Sequence, residues 1–164
     1  MVLLKDGNLT DDTFTDVSQM DTLPASGAIL VSLTQWQEHC EELKQRSEPV
    51  GIVLRSDEKP EAIQDDLASL ALIALDFPAF GDGRAYSSAR VLRDQLGYAG
   101  ELRAIGDVLL EQLHFMQRVG FNAFEINSND AESDWQTAAA DISVWYQDTG
   151  DGRATAVQLR QRKD

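Results

Sequence analysis

The chain has 164 residues, 43% hydrophobic and 26% charged, which fits one globular domain with a sizeable core. Its formal net charge of −14 argues against binding to nucleic acid or to an anionic membrane, because both require basic surface. A single cysteine, Cys40, excludes an internal disulfide and a cysteine-based metal site. The sequence shows no signal peptide and no apolar run long enough to span a membrane, so we expect a cytoplasmic protein.

Hydrophobic patterning predicts a hairpin at the start of the sequence and then a series of strands. Val2–Leu4 and Leu9 pair around a turn at Asp6–Asn8, and the polar stretch Thr10–Pro24 is predicted to be loop. The continuously apolar segments predict strands at Ala28–Leu33, Pro49–Leu54, Leu72–Asp76, Glu101–Ile105 and Ala123–Ile126.

Helical patterns alternate with these strands. Thr34 is well placed to cap the first helix, which carries Trp36, Cys40 and Leu43 on one face. The remaining helices are predicted after Pro60, after the glycine-rich turn Gly81–Arg84, over Val108–Arg118 and over Ala131–Tyr146.

This alternation predicts an α/β fold with about five βα repeats and a parallel sheet. Spacing alone leaves open whether the sheet is an incomplete (β/α) barrel or an open doubly wound sheet. We expect a single domain over residues 1–147, with residues 1–26 as the hairpin and loop. Residues 148–164 are predicted to be a flexible tail, with one short strand at Ala154–Leu159. Uncovered sheet edges favour a homodimer.

The carboxyl ends of parallel strands are where ligands bind in such folds, and this places Arg55, Ser56 and Asp76 at the expected rim. The turn after Asp76 opens a helix, whose free N–H groups and nearby arginines predict an anion site. The same sequence pattern is explained equally well if Asp82 only caps the helix. The candidate ligand-binding residues are Asp82, Gly83, Arg84, Ser87, Arg90, Arg103 and Asp107.

No residue can be assigned a catalytic role from these patterns. The turn lacks the Gly-Lys-Ser/Thr ending of a phosphate-binding loop, and no GxGxxG motif occurs. His39 and His114 have no second ligand at metal-binding spacing, so no metal site is expected. A triad of Ser87 or Ser88 with His114 is disfavoured, because that helix position points away from the strand ends.

Two segments, FPAFGDGRAYSSAR from Phe77 and ELRAIGDVL from Glu101, resemble the central signature of a bacterial family, domain of unknown function 934. The turn Lys5–Gly7 and the ending Val144–Gln147 extend the resemblance over most of residues 1–147. The resemblance implies a place in assimilatory sulfite reduction, where members are described as oxidoreductases and are typically encoded beside sulfite reductase.

Three functions follow from the residues and the resemblance together. The first is an accessory protein that binds sulfite reductase or its electron donor, with the acidic surface used for docking. The second is an oxidoreductase or other enzyme that binds a small anion, or the phosphate of flavin mononucleotide (FMN), at the turn of residues 82–90. The third is a structural or oligomeric module without a ligand.

Overall fold

The computed structural model describes residues 1–128, 130–140, 145, 146, 149 and 154–161. Eight strands form one sheet. They are β1 (Val2–Lys5), β2 (Asn8–Thr10), β3 (Phe14–Asp16), β4 (Ala28–Ser32), β5 (Val50–Leu54), β6 (Leu72–Phe77), β7 (Glu101–Gly106) and β8 (Ala123–Ile126).

Five α-helices accompany the sheet in the described residues. They are α1 (Leu33–Lys44), α2 (Arg84–Arg90), α3 (Leu113–Arg118), α4 (Ala131–Ala140) and α5 (Ala156–Gln161). Two 3₁₀ segments, Pro60–Ser69 and Leu110–Gln112, and one π-helical turn, Val91–Gln95, complete the helical structure of this part of the chain. Within the described residues, no helix has the length and apolarity needed to cross a membrane.

The strand order explains how the sheet is shaped. It runs β2-β1-β8-β7-β6-β5-β4-β3, so β2 and β3 lie at opposite edges although only Asp11–Thr13 separates them in sequence. In a flat sheet these edges would be about 34 Å apart. The four Cα steps from Thr10 to Phe14 span at most about 14 Å. The sheet is therefore strongly curled, as a half-barrel whose open side is crossed by residues 11–13.

The expected α/β class is confirmed, whereas the prediction of a purely parallel sheet is wrong. Strands β3 to β8 are parallel and follow one another in sequence order, but the β1–β2 hairpin pairs antiparallel with β8. A doubly wound sheet needs a reversal in strand order. The parallel strands show no such reversal, so the barrel-like alternative describes the sheet better.

The two faces of the curled sheet have different partners. Ile52, Ile73 and Leu102 point to the convex face, where the buried residues of α1, α2 and α3 pack against them. On the concave face, Leu30, Val53, Leu72 and Ala74 form a second, smaller cluster, against which Phe14 and Ile105 pack. Residues that alternate along a strand point to opposite faces. Glu101, Arg103 and Ile105 of β7 therefore all lie on the concave side.

Several local predictions need correction. The predicted loop Thr10–Pro24 contains β3, which pairs in parallel with β4. Ser32, rather than Thr34, caps α1, because its hydroxyl accepts from the Gln35 N–H while the Gln35 side chain accepts from the Ser32 N–H.

The end of the sequence also differs from the prediction where it is described. Trp145 forms an isolated bridge with Thr155, so the predicted helix does not continue to Tyr146. Residues 141–144 of that predicted helix lie outside the described residues. Of the predicted tail, residues 148, 150–153 and 162–164 also lie outside them. The segment predicted as a strand forms helix α5 instead.

Candidate functional site

The turn before α2 is held by its own aspartate. The Asp82 carboxylate accepts from the Arg84 backbone N–H at 3.2 Å and from the Arg84 guanidinium at 2.6 Å. The same guanidinium donates to the Ser56 hydroxyl at 2.7 Å, which joins the turn to the end of β5. These hydrogen bonds from Arg84 hold the pKa of Asp82 well below its usual range. The start of α2 therefore already has a carboxylate in place, which disfavours a flavin phosphate at this turn.

Asp107 ties the same loop to the end of β7. Its carboxylate accepts from the Phe80 backbone N–H at 2.8 Å, and its own N–H donates to the Phe77 carbonyl at 2.7 Å. Gly106 makes this close approach of β7 to Phe77 possible with a φ of 90°. Asp107 therefore fixes the loop of residues 78–83 to the end of β7. We call this loop the rim loop. In the described residues, neither Arg84 nor Arg103 forms an ion pair with Asp107.

The seven candidate residues do not form one cluster. Asp82 and Gly83 lie in the loop before α2, Arg84 begins α2, and Asp107 contacts that loop from the end of β7. Ser87 is exposed on α2. Arg90 is the last residue of α2 and pairs with Asp94 at 3.0 Å. Both residues line a pocket away from the rim loop. Arg103 lies inside the half-barrel. Anion binding at the turn of residues 82–90 stays a prediction.

A cleft of about 420 Å³ opens at the carboxyl ends of β3, β5, β6 and β7. Its charged side chains come from Arg55 and from three aspartates, Asp16, Asp57 and Asp76. Burial raises the pKa of Asp76, an effect that the nearby Arg55 charge opposes. A half-buried carboxyl beside an arginine, at the carboxyl ends of parallel strands, is a candidate acid–base group. We call this the rim cleft.

Arg103 is at the centre of an ionic network on the concave face, with 1% of its surface exposed. Its guanidinium donates to Glu101 at 2.9 Å, to both carboxylate oxygens of Asp12 at 2.7 and 3.2 Å, and to Glu125 at 3.2 Å. Lys5 pairs with the second oxygen of Glu101 at 2.7 Å. Three carboxylates therefore surround one guanidinium, and Asp12 fastens the crossing segment to the middle of the sheet.

The protonation states of this network follow from competing effects. Burial alone would lower the pKa of Arg103, but its contacts with Asp12 and Glu101 outweigh burial and raise that pKa. Burial also raises the pKa of Glu125, partly offset by Arg103. A second cavity of about 350 Å³ beside Glu125 shares Asp16 and Ile105 with the rim cleft.

Sequence reasoning missed the partners of Arg103. It treated this residue as part of the rim, although Arg103 occupies the third position of a six-residue strand. The alternation Glu101-Leu102-Arg103-Ala104 was the available signal, since it places two charges on one face of a strand. Nothing in the polar stretch around Asp12 indicated its contact with β7, 91 residues away in sequence. Within the described residues, no group of three or more histidine, cysteine, aspartate or glutamate side chains is arranged to hold a metal ion.

Comparison with known proteins supports one assignment. A search of curated proteins finds no match. The family model described as "Bacterial protein of unknown function (DUF934)" matches residues 51–157, well over half of the chain. This range contains all but the first residue of β5, all of β6 to β8, the rim loop and Arg103. The chain therefore belongs to this bacterial family of unknown function.

Proposed function

We propose that this protein is an accessory factor of assimilatory sulfite reduction that binds sulfite reductase or its electron donor. The observation that carries the proposal is an acidic face on α1 and the neighbouring 3₁₀ segment. The resemblance of the rim segments to a family whose members are described as acting in sulfite reduction suggests the partner.

The acidic face has a defined architecture. Asp66 of the 3₁₀ segment accepts from the Trp36 indole N–H at 2.9 Å and pairs with Lys44 at 2.7 Å, so α1 and this segment lie side by side. We use the name acidic face for five exposed carboxylates on these two elements. They are Glu38, Glu41, Glu42, Glu61 and Asp65.

Such a face suits a basic docking partner. Carboxylates grouped on one side of a protein create a local negative potential that raises association rates with a positively charged surface. The internal ion pair of Lys44 with Asp66 keeps the scaffold of this face fixed, so association needs little rearrangement of α1. The proposal therefore predicts a salt-sensitive complex.

Neutralising part of the acidic face should weaken that complex. We expect the triple variant Glu38→Gln/Glu61→Gln/Asp65→Asn to bind the reductase holoenzyme or its donor about tenfold more weakly at low salt. The difference should shrink at about 300 mM NaCl, because salt screens exposed charges. Biolayer interferometry with the immobilised partner measures both effects.

A control variant with the same change in net charge distinguishes an effect of the acidic face from an effect of total charge. The triple Asp21→Asn/Glu111→Gln/Asp130→Asn neutralises three exposed carboxylates elsewhere. We expect this variant to bind nearly as well as the wild-type protein. Equal weakening by both triples, or no association of the wild-type chain, would contradict the proposal.

A second candidate is an enzyme whose chemistry takes place in the rim cleft. The raised pKa of Asp76 beside Arg55 favours it. Carbon-13 NMR of the side-chain carboxyls should show Asp76 titrating above an ordinary aspartate. Arg55→Gln should raise that pKa further, because the arginine charge stabilises the carboxylate. An ordinary pKa that does not respond to Arg55→Gln would remove the support for this candidate.

A further inference from the structure

A pocket of about 320 Å³ lies at the end of the sheet opposite the rim cleft. It is formed by the last residues of α2, the π-helical turn and the loop after α3, which precede β7 and β8 in sequence. Three of its seven lining residues are arginines, namely Arg90, Arg93 and Arg118, in a protein whose net charge is −14. We call it the arginine pocket.

Arg93 is fixed in this pocket by neutral groups. Its guanidinium donates to the backbone carbonyls of Gly120 at 2.9 Å, Gly100 at 2.9 Å and Tyr98. A longer contact of 3.5 Å reaches the Asn122 side-chain oxygen. Burial lowers the pKa of Arg93. The nearby Asp6 charge opposes this effect, but the hydrogen-bond partners themselves are uncharged. They hold the half-buried cation in place and leave it attractive to an anion.

The loop after α3 is shaped around this side chain. Gly120 adopts a φ of 112°, and a Cβ atom at this position would collide with Cγ of Arg93. A glycine is therefore needed both for the backbone conformation and for the close passage of the arginine stem. Arg93 also ties together the segments before β7 and β8, which makes the floor of the pocket rigid.

The other two arginines flank this fixed charge. Arg118 is buried, and its guanidinium stacks 4.0 Å from the centre of the Trp145 ring. Arg90 is exposed at the edge and donates to Asp94 at 3.0 and 3.1 Å. Because this exposed pair is surrounded by solvent, Arg90 can exchange Asp94 for a ligand at small cost.

We propose that the arginine pocket binds the phosphate group of a small molecule, or free phosphate. Guanidinium groups match phosphate oxygens through paired, charge-assisted hydrogen bonds. The cavity volume falls in the range of small-molecule sites, roughly 300–1,000 Å³. The high negative charge of the whole protein repels anions in general, so a phosphate would be retained only where arginines are concentrated. This site is separate from the acidic face and from the rim cleft.

Titration with inorganic phosphate and with phenyl phosphate tests the proposal on the full-length protein. Proton–nitrogen NMR of the arginine Nε–H groups should show shifts at Arg93 and Arg118 that saturate. Arg90→Gln should weaken binding about tenfold, since one charged donor is lost. Asp94→Asn should strengthen it about threefold, because the competing carboxylate is removed. Tighter binding of phenyl phosphate than of inorganic phosphate would identify an ester as the preferred ligand.

Two further variants test whether phosphate binds in this pocket rather than at another positive charge. Lys59→Gln removes an exposed positive charge elsewhere and should leave the dissociation constant unchanged. Arg84→Gln removes the arginine at the start of α2 and should leave the saturable shifts of Arg93 and Arg118 unchanged. Absence of saturable shifts, equal weakening by Lys59→Gln, or loss of binding in Arg84→Gln but not in Arg90→Gln would each overturn the proposal.

Discussion

Replacing Arg103 with methionine is expected to lower the free energy of unfolding by about 3–5 kcal/mol at neutral pH. The methionine fills much of the same space, but it leaves the carboxylates of Asp12, Glu101 and Glu125 facing one another without the guanidinium. Breaking a buried ion network from one side is costly because the remaining charges stay poorly hydrated. In a domain of this size, the thermal midpoint should fall by on the order of 10 °C. Urea unfolding followed by circular dichroism measures the change.

The pH dependence of this variant has a definite sign. Burial already places the folded pKa of Glu125 above its ordinary value of 4.5, and removal of Arg103 raises it further. A carboxyl whose folded pKa exceeds its unfolded pKa favours the folded state below the unfolded pKa and loses that contribution as pH rises through the folded pKa. The stability deficit of Arg103→Met should therefore shrink as the pH falls from about 7 to about 5.

Two variants show whether the charge network is the cause. Arg84→Met changes an exposed arginine with a single carboxylate partner, and its cost should stay below about 1 kcal/mol. The double variant Arg103→Met/Glu101→Gln should recover part of the lost stability, because it removes one of the unpaired charges. A loss of free energy of unfolding in Arg103→Met that is no larger than in Arg84→Met, or that is independent of pH, would contradict this. Either result would show that the network does not fasten the crossing segment to the sheet.

The same network shows where sequence reasoning succeeded and where it stopped. Strands β4 to β8 were predictable because each is an apolar run with a helix pattern after it, a signal contained in consecutive residues. β3 was not, since its three residues lie in a threonine- and aspartate-rich stretch and gain their stability by pairing with β4. The curl of the sheet depends on the short connection of residues 11–13, which has meaning only once the strand order is known.

The candidate site residues show the same difference between features set by local sequence and features set by the fold. The position of Asp82 and Arg84 beside the helix start was predictable, because both lie within the turn that they stabilise. The separation of Arg90 from this group was not predictable, because Arg90 borders a pocket that it forms with Arg93 of the π-helical turn and Arg118 of α3. Local sequence identifies helix ends and turns, whereas the grouping of charges from distant segments is set by the packing of strands and loops in three dimensions.

Gly106 offers a sharp test of how the rim loop is positioned. Its φ of 90° is unfavourable for residues with a side chain, and a Cβ atom would collide with the Phe77 carbonyl and lie 2.7 Å from Oδ1 of Asp76. We expect Gly106→Ala to lower the free energy of unfolding by about 2–4 kcal/mol, through backbone strain and this steric overlap. Thermal and urea unfolding of the purified variant provide the measurement.

Gly81→Ala, in the loop between β6 and α2, is the matched control. A Cβ atom at Gly81 meets nothing within 4 Å, so its effect should stay within about 0.5 kcal/mol. Gly106→Ala should also shift the Phe80 amide proton in NMR spectra, because the strand end that carries Asp107 must move away from Phe77. A destabilised variant with an unchanged Phe80 signal would show that the strain is absorbed elsewhere. Asp107 would then hold the rim loop independently of Gly106, and the rim cleft would tolerate changes at the end of β7.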